Sequence, residues 1–183
     1  NLADDDEVFI AEMGAKQRFD IQELCLMVKP QIGVITGVGN QHLLTFGSIE
    51  NLVKTKAELA EYVFDNKGDL FVNVDNELSK QLADDFKTAI KVSVDEEKSC
   101  VYAKDIKSTK DGSSFELVYE NKSVKCKTIL LGKHNISNIL LASRVAISLG
   151  LTLEEIANAI EKLRTIPHRL EIVKSSSTYT IID

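Results

Sequence analysis

Short apolar runs alternate with stretches of helical periodicity through the first half of the chain, the pattern expected of strand-helix-strand units around a parallel sheet. Val8 to Ala11 reads as a buried strand. Asp20 to Val28 carries Ile21, Leu24, Cys25 and Val28 at spacings of three and four, which predicts a helix with one apolar face. Pro30 closes it before a strand over Ile32 to Ile35. Gly37, Gly39 and Gly47 mark a loop. Ser48 reads as the N-cap of a helix running through Phe64, the most periodic stretch of the chain. A strand over Leu70 to Val74, a polar helix around Glu77 to Phe86 and a strand near Ile90 to Val94 continue the alternation.

The second half changes character. Three alternating runs near Val101, Phe115 and Val124 predict an antiparallel meander, with Asp111-Gly112 as a hairpin turn. Two helices, about Asn135 to Leu149 and Leu153 to Leu163, are separated by Gly150, and strands near Leu170 and Tyr179 finish the chain. No repeat, low-complexity tract or Pro- or Ser-rich linker interrupts residues 1–183, which read as one domain. The fold predicted is α/β: a doubly wound, mostly parallel sheet with helices on both faces and a small antiparallel β extension. In such sheets ligands bind outside the carboxyl ends of the strands, so the parallel half is expected to own the site.

Composition narrows the function. With 22 Lys and Arg against 28 Asp and Glu the net charge is -6, which leaves no sequence-wide basic surface for a phosphodiester backbone and argues against a nucleic-acid partner. The three cysteines, Cys25, Cys100 and Cys126, are odd in number and contain no C-x-x-C pair, so neither a disulfide framework nor a zinc ribbon is indicated and a reducing cytoplasm is the simplest home. No apolar run approaches the roughly 20 residues that span a bilayer, so membrane insertion is not expected. A start without Met and an end on the apolar run Tyr179-Thr-Ile-Ile-Asp183 suggest a piece of a longer protein.

Several residues break the local rules. Helical projection puts Ile49, Leu52, Val53, Ala60, Val63 and Phe64 on one face with Lys56 near its middle, and Lys54, Glu58 and Glu61 on the wet face. A lysine in an apolar stripe must snorkel, pair, shift its pKa or be chemically modified; periodicity alone favours the first. Glu12 ends an apolar run before Met13-Gly14, where a carboxylate could hold a divalent cation or simply leave the sheet, and the two readings weigh equally. His42 follows a strand in the glycine loop Thr36-Gly-Val-Gly-Asn-Gln-His42, although a lone loop histidine is more often just solvated. No G-x-x-x-x-G-K-[ST] phosphate loop is present. Asn135 and Asn138 stand three apart on adjoining turns; the first is explained as an N-cap, the second has less structural reason. Arg169, at a corner before a strand, could grip a phosphate, but surface arginines are common.

These segments occur together, and in this order, in one family. Glu12-Met-Gly-Ala15, Asp20-Ile-Gln-Glu-Leu24, Ile35-Thr-Gly-Val-Gly-Asn-Gln-His-Leu43, Phe46-Gly-Ser-Ile-Glu-Asn51, Thr55-Lys-Ala-Glu-Leu59, Asn73-Val-Asp75, Gly132-Lys-His-Asn-Ile-Ser-Asn138 and Pro167-His-Arg-Leu-Glu171 resemble the central, ATP-binding domain of the Mur ligases. Any one is weak, whereas the ordered set is specific. The resemblance is greatest to the branch that adds D-alanyl-D-alanine to a UDP-muramoyl tripeptide.

The resemblance implies a cytoplasmic enzyme of peptidoglycan-precursor synthesis that uses ATP and two magnesium ions. By it, Glu12 binds the magnesium bridging the ATP phosphates and His42 helps hold the second. Lys56 matches the lysine that the family carbamylates, a modification that turns an amine into an oxygen ligand suited to magnesium. Asn135 and Asn138 match residues near the adenine, and Arg169 the arginine that meets the terminal phosphate. The family's phosphate loop is expected upstream of Asn1, and the substrate-binding flanking domains lie outside the chain, so the isolated fragment is expected to be inactive. His168 stands where the family usually has glycine, Gly37 where asparagine is frequent and Phe19 where glycine is frequent. Two alternatives remain: another ligase on the same plan, such as a folylpolyglutamate or cyanophycin synthetase, and a non-catalytic homologue that binds nucleotide without turnover.

Overall fold

Most of the predicted alternation is present, with boundaries set by capping and glycine geometry. The computed structural model describes residues 5–39, 46–95, 99–166, 172–173 and 181–182, the last two pairs by backbone alone. Its helices are α1 (Asp20–Val28), α2 (Ile49–Asp65), α3 (Glu77–Asp85), α4 (Lys133–Ser148) and α5 (Leu153–Glu161). Its strands are β1 (Ile32–Ile35), β2 (Asp69–Asn73), β3 (Ile90–Val92), β4 (Val101–Thr109), β5 (Gly112–Tyr119), β6 (Lys122–Thr128), β7 (Ile172–Val173) and β8 (Ile181–Ile182). They make an α/β fold with a three-stranded sheet of order β1-β2-β3, an antiparallel sheet of order β4-β5-β6, and the small pair β7-β8. The chain divides into two compact units, Asn1–Val72 with Asn76–Ile90, and Asn73–Asp75 with Lys91–Asp183.

In the first unit β1 and β2 pair in parallel, from Ile32 opposite Asp69 to Ile35 opposite Val72. A parallel pair needs a long crossover, and α2 supplies it. Ser48 caps α2 by accepting from the Asn51 amide at 3.1 Å, as the sequence predicts. The helix packs on β1, on α1 and on α3. Gly33 permits the first contact, because a Cβ there would stand 3.0 Å from Val63 Cγ2. Cys25, Ala60, Val63, Leu70 and Phe71 form the core of this unit.

One predicted strand is missing. Val8 to Ala11 forms no strand, and Ile10 is 86% exposed. An apolar run becomes a buried strand only when a neighbour pairs with it and a layer covers it, and no described strand pairs with this one.

In the second unit the meander forms as predicted. Tyr119 on β5 pairs with Val101 on one side and Lys122 on the other, and a bulge between Lys104 and Lys107 puts Asp105 at φ 53. The hairpin turn is shifted by one residue from the prediction: β4 ends at Thr109 and β5 starts at Gly112, so Lys110-Asp111 makes the turn. Gly112 serves another purpose, since with φ 137 its missing Cβ would lie 2.1 Å from the Thr128 carbonyl oxygen. One sheet face packs on the helices, α4 against β4 and α5 against β6. Val101, Leu117, Leu140, Leu141 and Ile156 fill that interface. The first turn of α5 is closed by a capping box, in which Thr152 accepts from the Glu155 amide and Glu155 accepts from the Thr152 amide. Strands β7 and β8 pair antiparallel, Ile172 opposite Ile182; the predicted strand centres Leu170 and Tyr179 lie outside the described residues. Among the described residues no helix is long and apolar enough to cross a membrane.

Burial in this core makes one side chain pH-sensitive. Burial pushes the Cys126 thiol up from its ordinary 9.0 to about 11. The folded state therefore holds its proton more tightly than the unfolded chain does. Stability is full below pH 9 and declines as pH rises toward 11, by up to about 2.7 kcal/mol at about 1.36 kcal/mol per unit. Cys126→Ala is expected to lose less stability than the parent protein between pH 8 and pH 10.5. Urea midpoints measured at both pH values check this, and parallel curves would refute it.

Candidate functional site

The loop that leaves β1 is fixed through both backbone groups of one residue, Val38. Asn76, the N-cap of α3, donates its amide to the Val38 carbonyl at 2.7 Å, and the Val38 amide donates to Ser79 Oγ at 2.9 Å. Asn76 also accepts from the Ser79 amide, so one cap orders both the helix start and the loop. His42 itself lies outside the described residues.

Lys56 is half-buried on α2, beside the fully buried Thr55 and two residues from Glu58. Its ammonium has no hydrogen-bond or ion-pair partner among the described residues. The buried face of α2 differs from the predicted one. Ile49 and Phe64 are 40% and 46% exposed, whereas Glu58, expected on the wet face, is only 5% exposed.

The cause is helix α1, which packs there and starts at Phe19 with φ 76 and no side-chain cap of its own. Glu58 supplies the missing acceptor: its carboxylate takes hydrogen bonds from the Phe19 amide at 2.8 Å, the Gln22 amide at 3.1 Å and Arg18 Nε at 3.2 Å. A buried carboxylate at a helix N-terminus satisfies donors that would otherwise be orphaned. Burial first, and the Glu58 charge second, push the Cys25 thiol on α1 upward.

Glu12 is exposed in the irregular segment before α1, with no partner among the described residues, so its oxygens are available. Among the described residues no group of three or more His, Cys, Asp or Glu side chains could hold a metal ion. A magnesium ion at this place needs oxygen ligands. A carboxylate such as that of Glu12 can offer such ligands, whereas a lysine ammonium cannot, because it repels a cation.

In the second unit α4 begins at Lys133, two residues earlier than predicted, with Gly132 as its N-cap at φ 88. Asn135 is therefore inside the first turn rather than capping it, and its Nδ2 donates back to the Leu131 carbonyl at 2.7 Å. Asn138 is exposed one turn on. Arg169 lies outside the described residues.

Sequence reasoning missed two acids that organise these elements, Glu58 and Asp75. The Asp75 carboxylate accepts from Ser93 Oγ at 2.6 Å, from the Val94 amide at 2.9 Å and from Ser137 Oγ on α4. Periodicity holds no signal for either, since their partners are distant in sequence.

Comparison with known proteins matches this arrangement to one family. The Mur ligase middle domain model matches residues 1–146. The chain is similar to the UDP-N-acetylmuramoyl-tripeptide--D-alanyl-D-alanine ligase of Buchnera aphidicola, 29% identical over 100% of this chain and 40% of that protein. In three dimensions it resembles MurF from Acinetobacter baumannii, with a TM-score of 0.81 at 24% identity over 93% of this chain and 37% of that one. It also resembles MurF ligase from Thermotoga maritima, solved in complex with ADP, with a TM-score of 0.76 at 22% identity over 93% of this chain and 39% of that one. The chain thus spans about two fifths of the length of these relatives. With a family model covering most of its residues and this fold beneath them, the chain belongs to the Mur ligase middle domain family.

Proposed function

We propose that this chain is the middle, ATP-binding domain of a cytoplasmic ligase that joins D-alanyl-D-alanine to a UDP-muramoyl tripeptide, with both compact units belonging to that one domain. The observation that carries the reading is the similarity to a ligase of that specificity along the whole chain. Flanking domains of the same protein hold the muramoyl peptide and the incoming dipeptide.

The reaction is amide formation through an acyl phosphate. A carboxylate oxygen of the peptide attacks the gamma phosphorus of ATP, and the bond to ADP breaks. The dipeptide amine then adds to the acyl carbon, and the tetrahedral intermediate collapses with loss of phosphate and a proton. No protein nucleophile is required, so positioning and electrostatics supply the rate.

Glu12, His42 and Lys56 as its carbamate would hold two magnesium ions, which when bound neutralise charge on the transferring phosphoryl group. The Lys56 carbamate forms when the neutral amine adds to carbon dioxide and releases a proton. The half-buried position of Lys56 and its lack of a partner among the described residues support this, because none of those residues holds the amine in a competing ion pair. Asn135 and Asn138 face the adenine side, and Arg169 meets the terminal phosphate. The double anchor on Val38 supports a role for His42, since it fixes the backbone four residues before it in the chain.

Phosphate release by the full-length protein with ATP and UDP-muramoyl tripeptide, with and without D-alanyl-D-alanine, tests the reading. Release that requires both substrates is expected. Turnover only with glutamate and a folate would move the protein to the folate branch, and silence with every acceptor would leave a nucleotide-binding homologue.

A further inference from the structure

Asp75 is on the surface, where a carboxylate is normally left to water, yet three donors converge on it. They come from two places far apart in sequence. Ser93 and Val94 follow β3, and Ser137 lies in the second turn of α4. Asp75 itself is held by its amide donating to Asn73 Oδ1 at 2.9 Å, so the acceptor is pre-set rather than recruited. Ser93 is also shared, since its Oγ accepts from the Asp95 amide at 3.2 Å. Asp95 in turn forms an ion pair with Lys133, the first residue of α4.

The start of α4 is thus tethered twice, at Lys133 and at Ser137. Asn135 lies between the two tethers and Asn138 directly follows the second. Tethers one turn apart lie on one face of the helix, so they add to the packing of Ile136, Leu140 and Leu141 in holding the rotation of its first turns. A charge-assisted bond from Ser137 is the stronger of the two, because the Lys133 pair is exposed on both sides.

We propose that Asp75 is a positioning residue for nucleotide selection: through Ser137 it sets the rotation of α4 and so the direction in which Asn135 and Asn138 present their amides to the base. This rests on the assignment of those asparagines to the adenine side. An adenine and a guanine differ in donor and acceptor pattern along the edge an asparagine amide reads, so a rotated helix loses discrimination as well as affinity.

In the full-length protein, Ser137→Ala and Asp75→Ala are each expected to raise KM for ATP about tenfold and to narrow the preference for ATP over GTP by about the same factor, with kcat at saturating ATP changing little; that is the size of one lost hydrogen bond to a charged acceptor. Asp75→Asn keeps an acceptor for Ser93 and Val94 and offers its amide to the Ser137 hydroxyl, so it recovers most of both. Ser137→Ala carries the test if Asp75→Ala fails to fold. A lowered Tm with unchanged KM and unchanged ATP preference overturns the proposal and leaves Asp75 a structural latch. Asn138→Ala separates this from its premise: if that variant binds ATP as the parent does, the adenine assignment is what fails, and the proposal falls with it.

Discussion

Replacing Lys56 with alanine in the full-length protein is expected to all but abolish ATP-dependent ligation, with a loss of about 10³-fold, the upper end of the effect of removing one preorganised charge-stabilising group. Excess bicarbonate is not expected to restore the alanine variant, because no amine remains to take up carbon dioxide. The effect belongs to the chemistry rather than the fold. Lys56 is half-buried and bonds to nothing among the described residues, so its truncation leaves no orphaned partner and the Tm is expected to stay close to that of the parent. Phosphate release and thermal melting on the same preparation distinguish the two. Near-normal turnover in the variant would sink the carbamate assignment.

The second large effect is on stability. Glu58→Ala removes an acceptor that serves the Phe19 and Gln22 amides and Arg18 together. The two amides lie at the start of α1 and have no substitute, since Phe19 as N-cap offers no side-chain bond. A buried donor left without an acceptor costs about 1–3 kcal/mol. The Arg18 contact contributes less, because the arginine side chain is 36% exposed and water replaces its partner. A total of about 3 kcal/mol follows, read as a fall in Tm of several degrees. Glu58→Gln, which retains one acceptor oxygen, should fall between. A melting curve for the alanine variant that overlays the parent's would refute this account of how α1 is held.

The two variants fall two residues apart on one helix and are expected to do opposite things, one stopping turnover with the fold intact and the other loosening the fold. Only one of the two was visible in the sequence. Lys56 stood out because a cation interrupts an apolar stripe, and that anomaly is local to the helix. Glu58 looked like an ordinary acidic residue on the outer face. Its burial arises from α1, and nothing within α2 records that α1 will pack there.

Elements show the same division. The limits of α1 and β1 were legible to the residue, and the Ser48 cap placed the start of α2, because periodicity, Pro30 and a capping side chain act within a few residues. The run Val8 to Ala11 carried an equally apolar signal and is not a strand, since pairing is a property of a neighbour and not of the run. The hairpin was found but placed a residue late. Gly112 reads as a turn residue in the sequence, yet it is glycine because the Thr128 carbonyl passes too close for a Cβ.

Most of the helices and strands, the α/β class and the anomalous place of Lys56 in an apolar stripe can be read from spacing and from residues a turn apart. Which acids gather donors, Glu58 in the interior and Asp75 at the surface, is settled by tertiary packing alone. The donors to Glu58 lie 36 to 40 residues away, and Ser137 lies 62 residues from Asp75. A carboxylate such as that of Glu58 is stable out of water only where donors converge on it, and convergence across such distances exists only once the chain has folded.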